Sequence, residues 1–328
     1  LEMTRQRIGL NLLHTVSVEC PTCNGLGRIG SPETTLTRLE NWLKRFRAKA
    51  KDRRLTITLH PEMVDYITET KSKVISLSKA GANQASDLND IAKMSDVLIT
   101  MLKDDDAVIE ILESKKVLQS MKQYSTLIDM SSINPKTAIR HSKLANKYNV
   151  NYLDAPVSGG TIGAKKGTLA IMVGGSKNVF QKQLSLFNVL GSPTYVGKSG
   201  SGQITKLANQ IIVGITIGAV SEAIILAKTA GVDPSSLLKA LKGGFADSKI
   251  LQIHGKRMIE NNYTPGGLSV TQLKDMNNIL STAKKNNLIL PLSSKVQKIF
   301  LSLVRNGKGH YDHSAFYKEL KRLNKKNN

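Results

Sequence analysis

The sequence predicts an α/β chain in which a parallel sheet domain is followed by an all-helical domain. Three observations carry that expectation. Short apolar runs at Asp96–Leu102, Thr126–Met130, Tyr152–Pro156, Leu169–Val173 and Thr194–Val196 alternate with helical patterns, the order of βαβ units. Beyond Gly202 the strand-like runs stop and helical patterns follow one another to the end. Between the two regions lies Gly200–Gly231, an apolar stretch free of proline with a lysine, Lys206, near its start.

A chain of 328 residues, 40% hydrophobic and 22% charged, is long enough for two or three domains and has the composition of a globular protein. Its formal charge of +22 would attract nucleic acid or anionic surfaces, but the lysines are spread along the chain. Cys20 and Cys23 are the only cysteines, which excludes a disulfide framework and suits a reducing cytoplasm. The opening segment lacks the apolar core of a secretory signal, and a start at Leu1 reads as that of a fragment.

The first 70 residues support two readings. Thr15–Val18 is strand-like, Gly25-Leu-Gly-Arg-Ile-Gly30 is a G-x-G-x-x-G, Pro32–Ala50 is helical and Leu55–Leu59 is again strand-like. That order suits a dinucleotide-binding unit, in which glycines let a pyrophosphate approach a helix N-terminus. Against it, Cys20–Asn24 separates the strand from the glycines, Pro21 cannot donate to a ladder, and Leu59-His60-Pro61 stands where a ribose-binding carboxylate is needed. The second reading is a resemblance to the ribonuclease E/G endoribonucleases, through Met3–Arg7 and Cys20-Pro-Thr-Cys-Asn-Gly-Leu-Gly-Arg28. Two thiolates cannot complete a tetrahedral zinc shell, and only His14 and His60 lie near in sequence, so a zinc site within the chain is not expected; the metal-binding carboxylates that the resemblance implies upstream of this stretch are absent, so nuclease activity is not expected either. Arg38–Arg54, basic with Trp42 and Phe46 four apart, reads as a solvated helix face, with RNA contact as the rival reading.

The remaining elements follow in order. Lys73–Ala80 ends a helix capped by Gly81, and Asp87–Lys93 is a short helix. Asp96–Leu102 and Thr126–Met130 are buried parallel strands, with helix at Ala107–Glu113 between them. Pro135–Tyr148 is an amphipathic crossover helix for which Ser132 is a candidate N-cap. After Gly202 come the long helix, then Pro234–Leu241, Ser248–Glu260, Val270–Lys285, Pro291–Arg305 and His313–Leu323.

Leu207–Ala227 has the length of a membrane span, but Asn209, Gln210, Ser221 and Glu222 favour a buried helix of a soluble protein. Lys206, Asn209 and Gln210, at i, i+3 and i+4, share one face of it. Upstream, a strand runs into Ser158-Gly159-Gly160, whose successive backbone N–H groups are open to an anion such as a carboxylate.

Four pieces, DAPVSGGTIGAKKGTLAIMVGG from Asp154, GSGQITKLANQ from Gly200, Leu273-Lys274-Asp275 and Asp312-His-Ser-Ala315, occur in the order and spacing of one family. Over about residues 71–328 the chain resembles the β-hydroxyacid dehydrogenases, which include 3-hydroxyisobutyrate dehydrogenase and tartronate semialdehyde reductase. The resemblance implies a Rossmann-like sheet domain whose first βαβ half is replaced or atypical, with NAD or NADP as cofactor and a small 3-hydroxy acid or its semialdehyde as substrate. It implies that Leu102 and Ser132 line the nicotinamide and that Lys274 contacts cofactor or substrate. Ser158, Gly159 and Gly160 would hold the substrate carboxylate, Asn209 would orient the substrate, and Lys206 would carry the proton. Burial on an apolar helix would lower the pKa of that lysine as proton transfer requires. Lys103 stands where the family commonly has proline, and Gln210 in place of a second asparagine points to the tartronate semialdehyde reductase subgroup. The expected division is 1–70, 71–196 for the rest of the dinucleotide domain, and 197–328 for a helical substrate and dimerisation domain. A homo-oligomer, no membrane and no bound metal are expected. The rival is an inactive chimeric chain without cofactor binding.

Overall fold

The computed structural model describes residues 87–325 together with the backbone of three short strands near the start. The expectations for Cys20 and Cys23, Pro32–Ala50, Arg38–Arg54 and Lys73–Gly81 lie outside the described residues. The strands are β1 (Ser17–Glu19), β2 (Arg28–Gly30), β3 (Leu55–Ile57), β4 (Val97–Thr100), β5 (Thr126–Asp129), β6 (Asn151–Asp154), β7 (Val157–Ser158), β8 (Leu169–Gly175) and β9 (Gly191–Gly197). The principal helices are α1 (Leu88–Met94), α2 (Pro135–Lys147), α3 (Gly160–Lys166), α4 (Ser201–Thr229), α5 (Pro234–Leu241), α6 (Ser269–Lys285), α7 (Pro291–Leu303) and α8 (Phe316–Lys325).

β1 and β2 form a two-stranded antiparallel ladder, with Ser17 opposite Gly30 and Glu19 opposite Arg28. This corrects the reading of Gly25–Gly30 as a cofactor loop. The last residues of the glycine run are the return strand of a hairpin, whereas a dinucleotide fingerprint must leave a strand of the parallel sheet and enter a helix.

The main sheet runs β3-β4-β5-β6-β8, with β7 and β9 also on β8. β3, β4, β5 and β6 are mutually parallel, as apolar runs such as Val97–Thr100 predict when both faces are covered. β6 and β7 are two pieces of one strand. Leu153 faces Gly175, Asp154 faces Gly174, Val157 faces Ile171 and Ser158 faces Ala170, so the antiparallel register continues unbroken through Pro156. Proline has no N–H for the ladder, but its carbonyl still accepts from Met172 N at 3.0 Å. The strand therefore carries on to deliver Ser158 and the glycines at the sheet's rim.

One core lies between the sheet and its helices, built from Leu98, Leu127, Val108, Leu112, Leu118, Ala138, Ala145 and Tyr152. The other gathers the C-terminal helices on α4 through Ile217, Val220, Ile224, Met276, Ile279, Phe300 and Phe316. α4 is 29 residues long and apolar enough to cross a membrane by length and composition. Its buried Lys206, Gln210 and Ser221 nevertheless hydrogen-bond within the protein. Gly214 admits α6, since a Cβ there would sit 3.1 Å from Gln272 Nε2 and 3.2 Å from Met276 Sδ. At Gly202 a Cβ would strike the carbonyl oxygens of Asp154 and Met172, so only glycine lets the first turn of α4 rest on β6 and β8.

Boundaries shifted where local geometry departs from the α-helix. Helices expected at Ala107–Glu113 and Ser248–Glu260 contain π-turns at Glu110–Ser114 and Leu251–Gly255, and His313–Ala315 is a 3₁₀ turn ahead of α8. Ser132 does not cap α2; Asn134 does, its side chain accepting from Lys136 N. Short helices at Lys177–Lys182 and Leu184–Leu190 pass between β8 and β9.

Phe300 is fully buried, with its ring centroid 4.9 Å from that of Phe316. Phe300→Ala is expected to cost about 3–5 kcal/mol through lost burial and the cavity left behind. The shift in urea midpoint measures this, and a cost below about 1 kcal/mol would show that the helical core refills the space.

Candidate active site

The carboxyl ends of β4, β5 and β6 are tied together by one buried carboxylate. Asp129 accepts from Thr100 Oγ1 at 3.0 Å, Ser131 N at 3.0 Å and Tyr152 OH at 3.3 Å. Burial raises its pKa, partly offset by the Ser131 and Thr100 bonds. Ser131 Oγ in turn accepts from Leu102 N at 2.8 Å, which fixes the segment leaving β4 against that leaving β5. Leu102 and Ser132 are therefore both half-buried at the rim where open α/β sheets take ligands.

α4 is seated by a second carboxylate. Asp154 accepts from Gly200 N at 2.8 Å and Gln203 N at 3.0 Å, satisfying N–H groups that a helix start leaves without partners. Gln203 then bridges to the sheet, accepting from Ile133 N and donating to Ser131 O. Two turns into the helix, Lys206 is buried and its Nζ donates to Gln210 Oε1 at 3.2 Å. Asn209 Nδ2 donates to the same oxygen at 2.8 Å. Burial lowers the Lys206 pKa, the Asp275 charge opposes that, and the Lys274 charge adds to it.

From α6 come Gln272, Lys274 and Asp275. Asp275 accepts from Gln210 Nε2 at 2.7 Å and from Ser132 Oγ at 3.2 Å. Lys274 Nζ donates to Ser132 O at 2.7 Å and Lys103 O at 3.2 Å and lies 3.4 Å from Asp275. The structure thus brings Lys206, Asn209, Lys274 and Ser132 into one network with Gln210, Gln272 and Asp275. Leu102 stands at its edge, beside Lys103.

Ser158, Gly159 and Gly160 stand outside that network, on β7 and at the start of α3. Gly159 and Gly160 both have positive φ, +133° and +58°, so their N–H groups follow a turn that side-chain-bearing residues disfavour. Both are exposed, and a Cβ on Gly160 would lie 3.7 Å from Gly266 O, in the connection that leads into α6.

Sequence reasoning missed the parts played by Asp154, Gln203, Gln272 and Asp275. Gln272 and Asp275 recur at i and i+3 with Met276, Ile279 and Ala283 on the buried face of α6, and polar residues on such a face were the available signal.

The NAD binding domain of 6-phosphogluconate dehydrogenase matches residues 57–200, and the NAD-binding domain of NADP-dependent 3-hydroxyisobutyrate dehydrogenase matches residues 200–320. The 2-hydroxy-3-oxopropionate reductase of Escherichia coli (strain K12) is 42% identical over 264 residues, which is 80% of this chain and 89% of the relative. The chain belongs to the β-hydroxyacid dehydrogenase family. A probable 3-hydroxyisobutyrate dehydrogenase-like 1, mitochondrial, of Arabidopsis thaliana is 35% identical over 80% of this chain and 79% of its own. The crystal structure of 3-hydroxyisobutyrate dehydrogenase from Salmonella typhimurium shares the fold at a TM-score of 0.73 and 24% identity, covering 85% of this chain and 95% of that one. This β-hydroxyacid dehydrogenase-like chain is an NAD(P)-binding oxidoreductase acting on a small hydroxy-acid-like substrate. The matches begin at residue 57, within β3, and lend no support to the ribonuclease resemblance of residues 1–70.

Burial holds the pKa of Asp154 up at about 6, above its ordinary 3.8. A carboxyl that binds its proton more tightly folded than unfolded contributes most to stability below pH 3.8 and loses that contribution as pH rises through about 6. The loss is roughly 3 kcal/mol. Asp154→Asn should therefore be more destabilising, relative to wild type, at pH 4 than at pH 7 in urea titrations. The opposite order would mean that the helix N–H groups hold the carboxylate ionised.

Proposed function

We propose that this dehydrogenase interconverts a small 3-hydroxy acid and its semialdehyde, with Lys206 giving or taking the proton. The observation that carries the reading is the buried Lys206 ammonium, held by an amide oxygen near the sheet-facing end of a mostly apolar helix. The cofactor, when bound, accepts or donates the hydride at its nicotinamide ring. Residues at the strand ends fit such a ring: Met101 is more than half exposed after β4, Leu102 is half-buried, and Ser132 and Lys274 lie beside them. Leu102 and Ser132 would line its face, with Lys274 holding the rim of the site through the carbonyls of Lys103 and Ser132.

Ser158, Gly159 and Gly160 would bind the substrate carboxylate through backbone N–H groups, and Asn209 would orient the reacting oxygen. In oxidation, neutral Lys206 accepts the hydroxyl proton; in reduction, its ammonium returns a proton to the forming alkoxide. Gln210 after Asn209, and the name of the Escherichia coli relative, favour 2-hydroxy-3-oxopropionate as the aldehyde substrate. We infer that residues 55–57 supply the strand that precedes β4 in this sheet, because β3 pairs in parallel with β4.

Binding of NADH and NADPH followed by fluorescence, with turnover of 2-hydroxy-3-oxopropionate, tests the reading. Lys206→Met should lower kcat by about 10²–10⁴-fold while cofactor Kd stays within about twofold. The wild-type oxidation rate should rise, and the reduction rate fall, through one pKa below the ordinary lysine value of 10.5. Failure to bind either cofactor at millimolar concentration would instead favour an inactive chain.

A homo-oligomer fits the exposed apolar side of α4, where Ile204, Ile212 and Leu226 are 46%, 67% and 73% exposed. Ile212→Lys should lower the sedimentation coefficient; an unchanged value would remove α4 from any interface.

A further inference from the structure

Lys206 does not bond directly to the carboxylate that influences it. Between them stands the buried carboxamide of Gln210. Its oxygen accepts from Lys206 Nζ at 3.2 Å and Asn209 Nδ2 at 2.8 Å, and its NH₂ donates to Gln272 Oε1 at 3.0 Å and Asp275 Oδ2 at 2.7 Å. Two donors face its oxygen and two acceptors face its nitrogen. A flipped amide would set NH₂ against the ammonium and oxygen against the carboxylate, so the orientation is fixed by its partners.

We propose that Gln210 is a positioning residue for the oxidoreductase reaction, a neutral spacer that anchors Lys206 while keeping the Asp275 carboxylate one amide away. A carboxylate bonded directly to a buried ammonium favours the charged lysine and removes the neutral form that oxidation needs. The oxygen of a neutral amide gives the same fixed point with a weaker field. Asp275 still acts through space, and its Oδ1 side is engaged by Ser132 and Lys274. Among the described residues, the other charged and titratable groups that interact with Lys206 are Lys274 on α6 and His313 in the 3₁₀ turn before α8.

The inference rests on the proposed role of Lys206, and direct titration separates the two. The Lys206 side-chain nitrogen is followed by ¹⁵N NMR in the cofactor-free chain, its signal identified by loss in Lys206→Met. Gln210→Glu, nearly isosteric, places a carboxylate directly at the ammonium and should raise the midpoint by about one pH unit or more. Gln210→Leu removes the acceptor and should lower it. The pH midpoints of turnover should move in the same two directions. Midpoints equal to wild type in both variants, with folding intact by circular dichroism, would overturn the proposal, because a merely structural glutamine would lower activity without moving them. Asp275→Asn tests the arrangement without touching Gln210: a spacer predicts a fall of less than about one unit, and a fall of two or more, as for a direct ion pair, would overturn it. Absence of wild-type turnover would remove the proposed activity, while the titrations would still decide the role of Gln210.

Discussion

The seating of the long helix on the Asp154 carboxylate is the constraint from which the rest of the site follows. Asp154 ends β6 and takes the N–H groups of Gly200 and Gln203, so the last parallel strand and the first turn of α4 are fixed in one arrangement. Gly202 is needed there because any side chain would collide with the carbonyls of Asp154 and Met172. From that anchor α4 carries Lys206, Asn209 and Gln210 away from the sheet at a set rotation. Its far end organises the helical core through Ile217, Val220 and Ile224.

The site is accordingly built where two domains meet, with each half held by a buried carboxylate that has another task. Asp129 draws Thr100, Ser131 and Tyr152 together and so aligns the ends of three strands. Asp275 receives Gln210 from α4 and Ser132 from the sheet, which joins the helical domain to the rim. Burying a carboxylate is costly unless hydrogen bonds compensate it, and each of these has at least two. Lys206 lacks a comparable anionic partner. Its desolvation is met by one amide oxygen, which leaves its neutral form accessible.

Much of this was legible in the sequence because it is written in local patterns. The apolar runs at Asp96–Leu102 and Thr126–Met130 read as buried strands, and strands form at Val97–Thr100 and Thr126–Asp129; the i, i+3, i+4 spacing put Lys206, Asn209 and Gln210 on one face. The motif from Asp154 onward identified the family. At Gly25–Gly30 the same local signals left two readings open, and the structure places Arg28–Gly30 in a strand antiparallel to β1. Glycine spacing reports conformational freedom, and freedom of that kind serves a return strand as well as a pyrophosphate turn.

By itself the sequence determined the order of elements, from residue type and short-range spacing, and the family, from motifs in order along the chain; Lys206 as candidate proton carrier followed from that resemblance. Only the tertiary structure decided what that lysine meets. Gln210 and Asp275 are 65 residues apart, and Ser132 and Asp275 are 143 apart. Their hydrogen bonds depend on how α6 packs against Gly214 of α4 and on where the sheet ends, and no local pattern encodes either distance.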